Sequence, residues 1–172
     1  MRRLLAFAVL LVAGCLPAHP TVAPAAGAPP LRPDVFFQGA THGDGTLHVL
    51  ARGPEAVAVD SRGEPLADGR FRLVQQVQQG DAAPRERTWV LIPDGPDAWT
   101  GTLTDASGPV TVEAEGSTLR IRYRLNALTT FHQRLVLRPD GRTVENRSSA
   151  RVLGVPVARL AETITRPTPV PR

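Results

Sequence analysis

The chain contains one cysteine, Cys15, so no disulfide forms within it and its fold must rest on a packed core. It contains no lysine: all 20 basic residues are arginine. The formal charge is +4, and two of those units leave if Arg2 and Arg3 are removed. The arginines alternate with Asp and Glu instead of gathering in a run with aromatics between them. That pattern argues against nucleic acid as the partner. Aromatic residues are only 5% of the chain, so any sheet wall must be mostly Leu, Val and Ala. Such a wall suits an acyl chain better than a stacked sugar. The apolar run from Leu4 to Ala13 is shorter than the ~20 residues a membrane-spanning helix needs. The histidines, His19, His42, His48 and His132, lack the paired spacing of a zinc site. There is no G-x-S-x-G nucleophile elbow. On these grounds no metal, cofactor or catalytic residue is assigned, and a non-enzymatic protein is expected.

What is present begins at the amino terminus. Met1-Arg2-Arg3, the apolar run and Ala13-Gly14-Cys15 form a positive segment, a short hydrophobic segment and a small-residue cleavage site. This is the layout of a secretory signal over residues 1–14. A cysteine directly after Ala-Gly resembles the lipobox of bacterial lipoproteins. That resemblance implies a diacylglyceryl group on Cys15, removal of residues 1–14 and a membrane partnership through lipid. Two or three acyl chains hold a protein durably where one does so only marginally. Leu16 stands where an aspartate would imply inner-membrane retention, so the same resemblance implies the outer membrane, facing the periplasm. Residues 15–33 are rich in Pro and Ala and read as an extended, disordered tether. Residues 167–172 read as a disordered tail.

Residues 34–166 alternate apolar and polar positions in short runs broken by Gly, Pro and Asp. In Leu119-Arg120-Ile121-Arg122-Tyr123-Arg124-Leu125 the apolar residues share one face and three arginines the other. Phe71, Leu73, Gln75 and Val77 repeat the pattern, as do Phe131, Gln133, Leu135 and Leu137. Further strands are expected near 46–51, 55–60, 87–92, 98–104, 110–115, 143–152 and 156–165. In the last of these, Val157, Leu160, Ala161 and Ile164 also suit a helical face. Asp94-Gly95-Pro96-Asp97, Ser107-Gly108-Pro109, Glu115-Gly116-Ser117 and Pro139-Asp140-Gly141 mark turns. His42-Gly43-Asp44-Gly45 reads as a tight loop. About ten strands with short connections predict an all-β, antiparallel up-and-down barrel of the lipocalin-like (calycin) type, since closure removes exposed edges.

The same landmarks resemble a family of uncharacterised Gram-negative lipoproteins with a lipocalin-like barrel. They are Phe36-Phe37-Gln38-Gly39 with Gly43 and Gly45, Arg87-Thr88-Trp89, Trp99-Thr100-Gly101 with Asp105 and Gly108, Glu115-Gly116 through Tyr123, and Asn146-Arg147-Ser148 with Gly154. Members usually carry an acidic residue and a large aromatic where this chain has Gln75 and Val77. They carry an acidic-Trp patch where it has Gln133-Arg134-Leu135. The resemblance implies the barrel and no particular activity.

A barrel can be hollow or filled by its own side chains. The expected lining residues are Phe71, Gln75, Trp89, Trp99, Tyr123, Phe131, Gln133 and Leu135. The expected function is a lipid-anchored envelope protein whose barrel holds or shuttles a small apolar ligand, a fatty acid or another lipid. A filled barrel would instead indicate a scaffold for another protein. A cluster of titratable groups at the mouth would indicate an enzyme acting on lipid. Glu113 and Glu115 share the solvated face of one strand, opposite Val110 and Val112. Glu162 falls between Leu160 and Ile164, where it points inward or lies at the mouth in water. The arginine row 120, 122 and 124 reads as a polar outer face, with lipid phosphate as the other use of its guanidinium forks.

Overall fold

The computed structural model describes residues 16–18 and 20–167. Residues 1–14, read above as a signal segment, Cys15, His19 and the chain beyond Pro167 lie outside the described residues. Ten strands follow one another: β1 (Gly39–Val49), β2 (Glu55–Pro65), β3 (Phe71–Gln79), β4 (Arg85–Pro93), β5 (Ala98–Leu103), β6 (Val110–Glu115), β7 (Thr118–Arg124), β8 (Thr129–Leu137), β9 (Thr143–Val152) and β10 (Val155–Thr165). Each pairs antiparallel with the next. β1 also pairs with β10, from His42 opposite Thr165 to Val49 opposite Ala158, which closes the barrel.

Alternation decides which face turns inward. In β7, Leu119, Ile121 and Tyr123 are buried and Arg120, Arg122 and Arg124 exposed. In β3, Phe71, Leu73, Gln75 and Val77 face in. The final segment is a strand throughout. Its edges complete hydrogen-bond ladders with both β1 and β9, which a helix would leave open. The expected loop at His42–Gly45 is corrected here: these residues are the middle of β1, paired with β2 and β10.

The two ends of the barrel differ. At one end a single-turn helix, α1 (Pro33–Phe36), lies across the opening. Leu31, Pro33, Phe36 and Phe37 are buried there, with Phe36 and Phe37 edge to face at 5.0 Å. Leu31 N donates to Gly116 O at 2.9 Å, and the Arg32 guanidinium sits 4.8 Å from the Trp99 ring. The boundary drawn from composition after residue 33 therefore passes through this lid. A core of Phe71, Leu73, Leu91, Trp99, Val112, Leu119, Leu135, Leu137 and Val144 fills the barrel beneath it. The other end, ringed by the turns at 50–54, 80–84, 104–109, 125–128 and 153–154, has no such cover among the described residues.

Candidate functional site: the cup at the open end

The open end holds a cup of about 490 Å³. That is within the range of small-molecule sites, ~300–1,000 Å³. Its wall is apolar: Leu47 from β1, Val57 and Val59 from β2, Val77 from β3, Phe131 from β8 and Leu160 from β10 among others. Arg85 and Asp105 stand at one side of the mouth, 3.9 Å apart. Arg87 and Glu162 line both the cup and a smaller void of about 40 Å³ below it. They mark a floor. The lower void has room for little more than a water molecule or two.

Two polar networks build that floor. Gln75 Oε1 accepts from Trp89 Nε1 at 2.7 Å and from Arg87 Nε at 2.9 Å, while Gln75 Nε2 donates to Ser61 Oγ at 3.0 Å. The register makes this possible, because Ser61, Gln75 and Arg87 are cross-strand partners in β2, β3 and β4. On the other side, Asn146 Nδ2 donates to Glu162 Oε2 at 2.8 Å and Ser148 Oγ donates to Asn146 Oδ1 at 3.0 Å. Every member of both networks except Arg87 is buried. A buried polar group must be hydrogen-bonded to be tolerated, and here the inward-facing positions supply one another.

The glycines of β1 explain how Glu162 fits. A Cβ on Gly43 would collide with Glu162 Oε1, and one on Gly45 would stand 2.6 Å from Ala161 O. The strand is bare at these positions so that a carboxyl can lie against it. Burial is the main influence on Glu162 and pushes its carboxyl above the usual carboxylate range, against the hydrogen bond from Asn146 and the charge of Arg87. Burial likewise pushes the Tyr123 hydroxyl up to about 12. The Tyr123 ring stacks on Phe131 at 5.0 Å and meets Trp89 edge to face at 5.6 Å. Arg87 is fixed by its Nε bond to Gln75 and lies 5.8 Å from the Trp89 ring. No hydrogen bond holds its terminal nitrogens among the described residues, and its charge acts on Glu162 and Tyr123.

The expected lining residues divide by depth. Tyr123 and Phe131 line the cup, while Phe71, Gln75, Trp89, Gln133 and Leu135 line the void at and below the floor. Trp99 lines neither; it is buried against the lid. Glu162 points inward. Arg87, Ser61, Asn146 and Ser148 were not among the expected site residues. Arg87 stands in the sequence as part of Arg-x-Trp, Asn146 and Ser148 as part of the Asn146-Arg147-Ser148 landmark, and Ser61 only as a small polar residue in phase with an inward face. The histidines among the described residues do not line the cup. His42 is exposed on the outer face of β1, with Nδ1 2.7 Å from Asp60 and Nε2 3.1 Å from Asp44. His132 is on the outer face of β8, between Arg122 and Ser149.

A family model described as a protein of unknown function, DUF3833, matches residues 9–166, and the chain belongs to that family. A comparison with curated proteins finds no match. Among solved structures, the chain is similar to an S-type phycobiliprotein lyase from Guillardia theta, with TM-score 0.62 and 12% identity over 78% of this chain and 90% of that one. It is similar to Rv2717c from M. tuberculosis, with TM-score 0.61 and 16% identity over 80% and 99%. A protein of unknown function from the DUF3598 family of Nostoc punctiforme matches with TM-score 0.59 and 16% identity over 81% of this chain, which spans half of that one. At these identities the likeness shows the lipocalin-like fold. It also corrects one expectation: the same barrel is the body of a lyase, so lack of a familiar catalytic motif is no ground for calling this chain a non-enzyme.

Proposed function

We propose that this DUF3833 member is an exported protein, held on the outer membrane through lipid on Cys15, whose cup binds an amphiphile with a single acyl-type tail. The observation that carries this reading is the cup itself: apolar walls above a floor that presents Arg87. The filled-barrel scaffold is disfavoured because the barrel is filled only in its closed half. The floor polarity sets the orientation. A carboxylate or phosphate head meets the Arg87 guanidinium, and the tail leaves along Val57, Val59, Val77 and Leu160 toward the mouth. A charge-assisted contact at the floor fixes the head, and apolar burial supplies the affinity.

Titration of the full chain with fluorescent fatty acids of increasing length tests this. Affinity should reach the micromolar range, about −8 kcal/mol. Each further methylene buried should add ~0.8 kcal/mol until the cup is full. Tyr123→Arg should remove binding with the barrel still folded. Absence of saturable binding at every length refutes the reading.

Glu162 favours a second reading, in which the cup also acts chemically on what it holds. A carboxyl whose proton is held more tightly by burial, lining the same cup as Arg87, is a usable proton donor. Mass spectrometry of lipids recovered from wild type and Glu162→Gln checks it: a product formed only by wild type supports it, and identical lipids refute it.

A further inference from the structure

Large apolar side chains exposed among the described residues gather at one place. Four of the six, Leu50, Leu128, Leu153 and Val155, lie on the open rim. The backbone ties their turns together: Leu153 N donates to Leu128 O at 3.0 Å, and Leu50 N to Val157 O at 2.8 Å. Leu153 is the extreme case. It is 77% exposed and has φ +49°, followed by Gly154 at φ +86°. Two successive positive φ values make the kind of two-residue hairpin turn in which Asn-Gly is favoured. A leucine there gains nothing from the left-handed backbone and nothing from water. An outlier of this kind points to a use outside the folded monomer.

The charges beside it are of one sign. Cross-strand register brings arginines from four strands onto one outer face, in the rows Arg120–Arg134–Arg147, Arg122–His132–Ser149–Arg159 and Arg124–Thr130–Arg151. Arg120 and Arg147 pair with Glu115 and Glu145. Nearer the rim, Arg52, Arg124 and Arg151 have no carboxylate partner among the described residues. Of the acidic groups of the rim, Asp81 and Glu86 belong to the β3–β4 side, Asp105 stands 3.9 Å from Arg85, and Glu55, which follows the turn of Arg52, accepts from Gln79 Nε2 at 2.7 Å.

The course of the chain gives a third observation. From the lid the amino-terminal segment crosses this basic face. Arg134 Nη1 donates to Val22 O, and Arg159 Nη1 donates to Pro17 O at 2.7 Å. Leu16 and Pro17 then lie in a groove with His48, Val49, Leu50, Ala51 and Arg52. The described chain thus begins at the rim, with Leu16, the residue after Cys15.

We propose that this rim docks on an anionic lipid bilayer. Leu50, Leu128, Leu153 and Val155 enter the interface, and Arg52, Arg124, Arg151 and Arg159 meet lipid phosphates. The mouth of the cup then faces the membrane, tilted toward the β7–β10 side. Apolar tips flanked by arginine are the elements that hold a protein surface at an interface. The docking does not depend on what the cup holds.

Tryptophan placed by substitution in the full chain tests the orientation, since Trp89 and Trp99 are both buried. The vesicles are phosphatidylglycerol and phosphatidylethanolamine with acyl-brominated lipid as quencher. Emission added by Leu153→Trp or Leu128→Trp should be strongly quenched, and that added by Ile92→Trp, near the closed end, should not. Quenching at the rim should weaken on phosphatidylcholine alone and in about 0.5 M salt, which screens the arginines. Leu153→Asn suits the turn, so in the Leu128→Trp background it should relieve quenching without lowering the melting temperature. Equal quenching at residues 92 and 153, or none at the rim in vesicle-bound protein, overturns the proposal. Fatty-acid titration of Leu153→Asn in solution should match wild type, so failure of the cup reading and failure of the docking are told apart.

Discussion

Gln75→Leu removes the residue that joins Arg87, Trp89 and Ser61 and puts in its place an apolar side chain one atom shorter. The Trp89 indole N–H, in a side chain 5% exposed, loses its acceptor. An orphaned buried donor costs ~1–3 kcal/mol. Ser61 is also buried but can turn its hydroxyl, so its loss is ~1 kcal/mol or less. Arg87 faces the cup and can be hydrated there. Against these losses, the leucine buries additional apolar surface worth ~1 kcal/mol. The balance is a destabilisation of ~2 kcal/mol. Urea denaturation should show a lower midpoint with an unchanged slope. Gln75→Glu keeps both acceptor contacts and supplies the acidic residue that resembling sequences carry. It should cost less than the leucine at neutral pH. A Gln75→Leu variant within ~0.5 kcal/mol of wild type, the size of an ordinary surface change, would show that the floor is not held in this way.

Leu135→Ala, at a residue 2% exposed, should cost ~2–5 kcal/mol, whereas Arg122→Ala, on the outer face, should cost ~0.5 kcal/mol or less by the same urea assay. Glu162 holds its proton more tightly folded than unfolded. Its contribution to stability is therefore complete below the ordinary glutamate range and is lost as pH rises through the raised folded value. Glu162→Gln, neutral throughout, should gain on wild type in thermal melts as pH rises from about 4 to 8; a variant that falls further behind wild type as pH rises refutes this. Cys15→Ser should abolish labelling by radioactive palmitate, and equal labelling of the two chains would rule out lipid attachment at Cys15.

Alternation made the barrel legible, because an inward apolar face and an outward charged face leave a period of two wherever both are well populated. The run from Leu119 to Arg124 is such a place. Where inward positions are polar the signal fades: Val144, Asn146, Ser148 and Ala150 face in, yet two of the four look like solvent residues. The floor was therefore half hidden. Gln75 is legible because Leu73 and Val77 flank it in phase; Asn146 shows only as part of a family landmark with no site role, and Ser61 stands in no landmark at all. Gly43 and Gly45 misled for a physical reason. Glycine is read as a turn, but here it makes room for a carboxyl from the next strand, a cause that lies 119 residues away in Glu162. The arginine rows show the same limit. Residues 120, 122 and 124 announce themselves within one strand, but their neighbours on β8, β9 and β10 join them only through register.

The two tryptophans occupy opposite stations along the barrel axis. Trp99 is clamped under the lid by Arg32, and Trp89 is hydrogen-bonded into the floor of the cup. Each is therefore a built-in optical reporter for a different event. A ligand reaching Arg87 changes the field around Trp89 and leaves Trp99 dark to it. Lifting of residues 31–37 exposes Trp99 first. With Trp89→Phe and Trp99→Phe as the two single-reporter chains, occupancy of the site and integrity of the seal can be followed as separate signals in one cuvette.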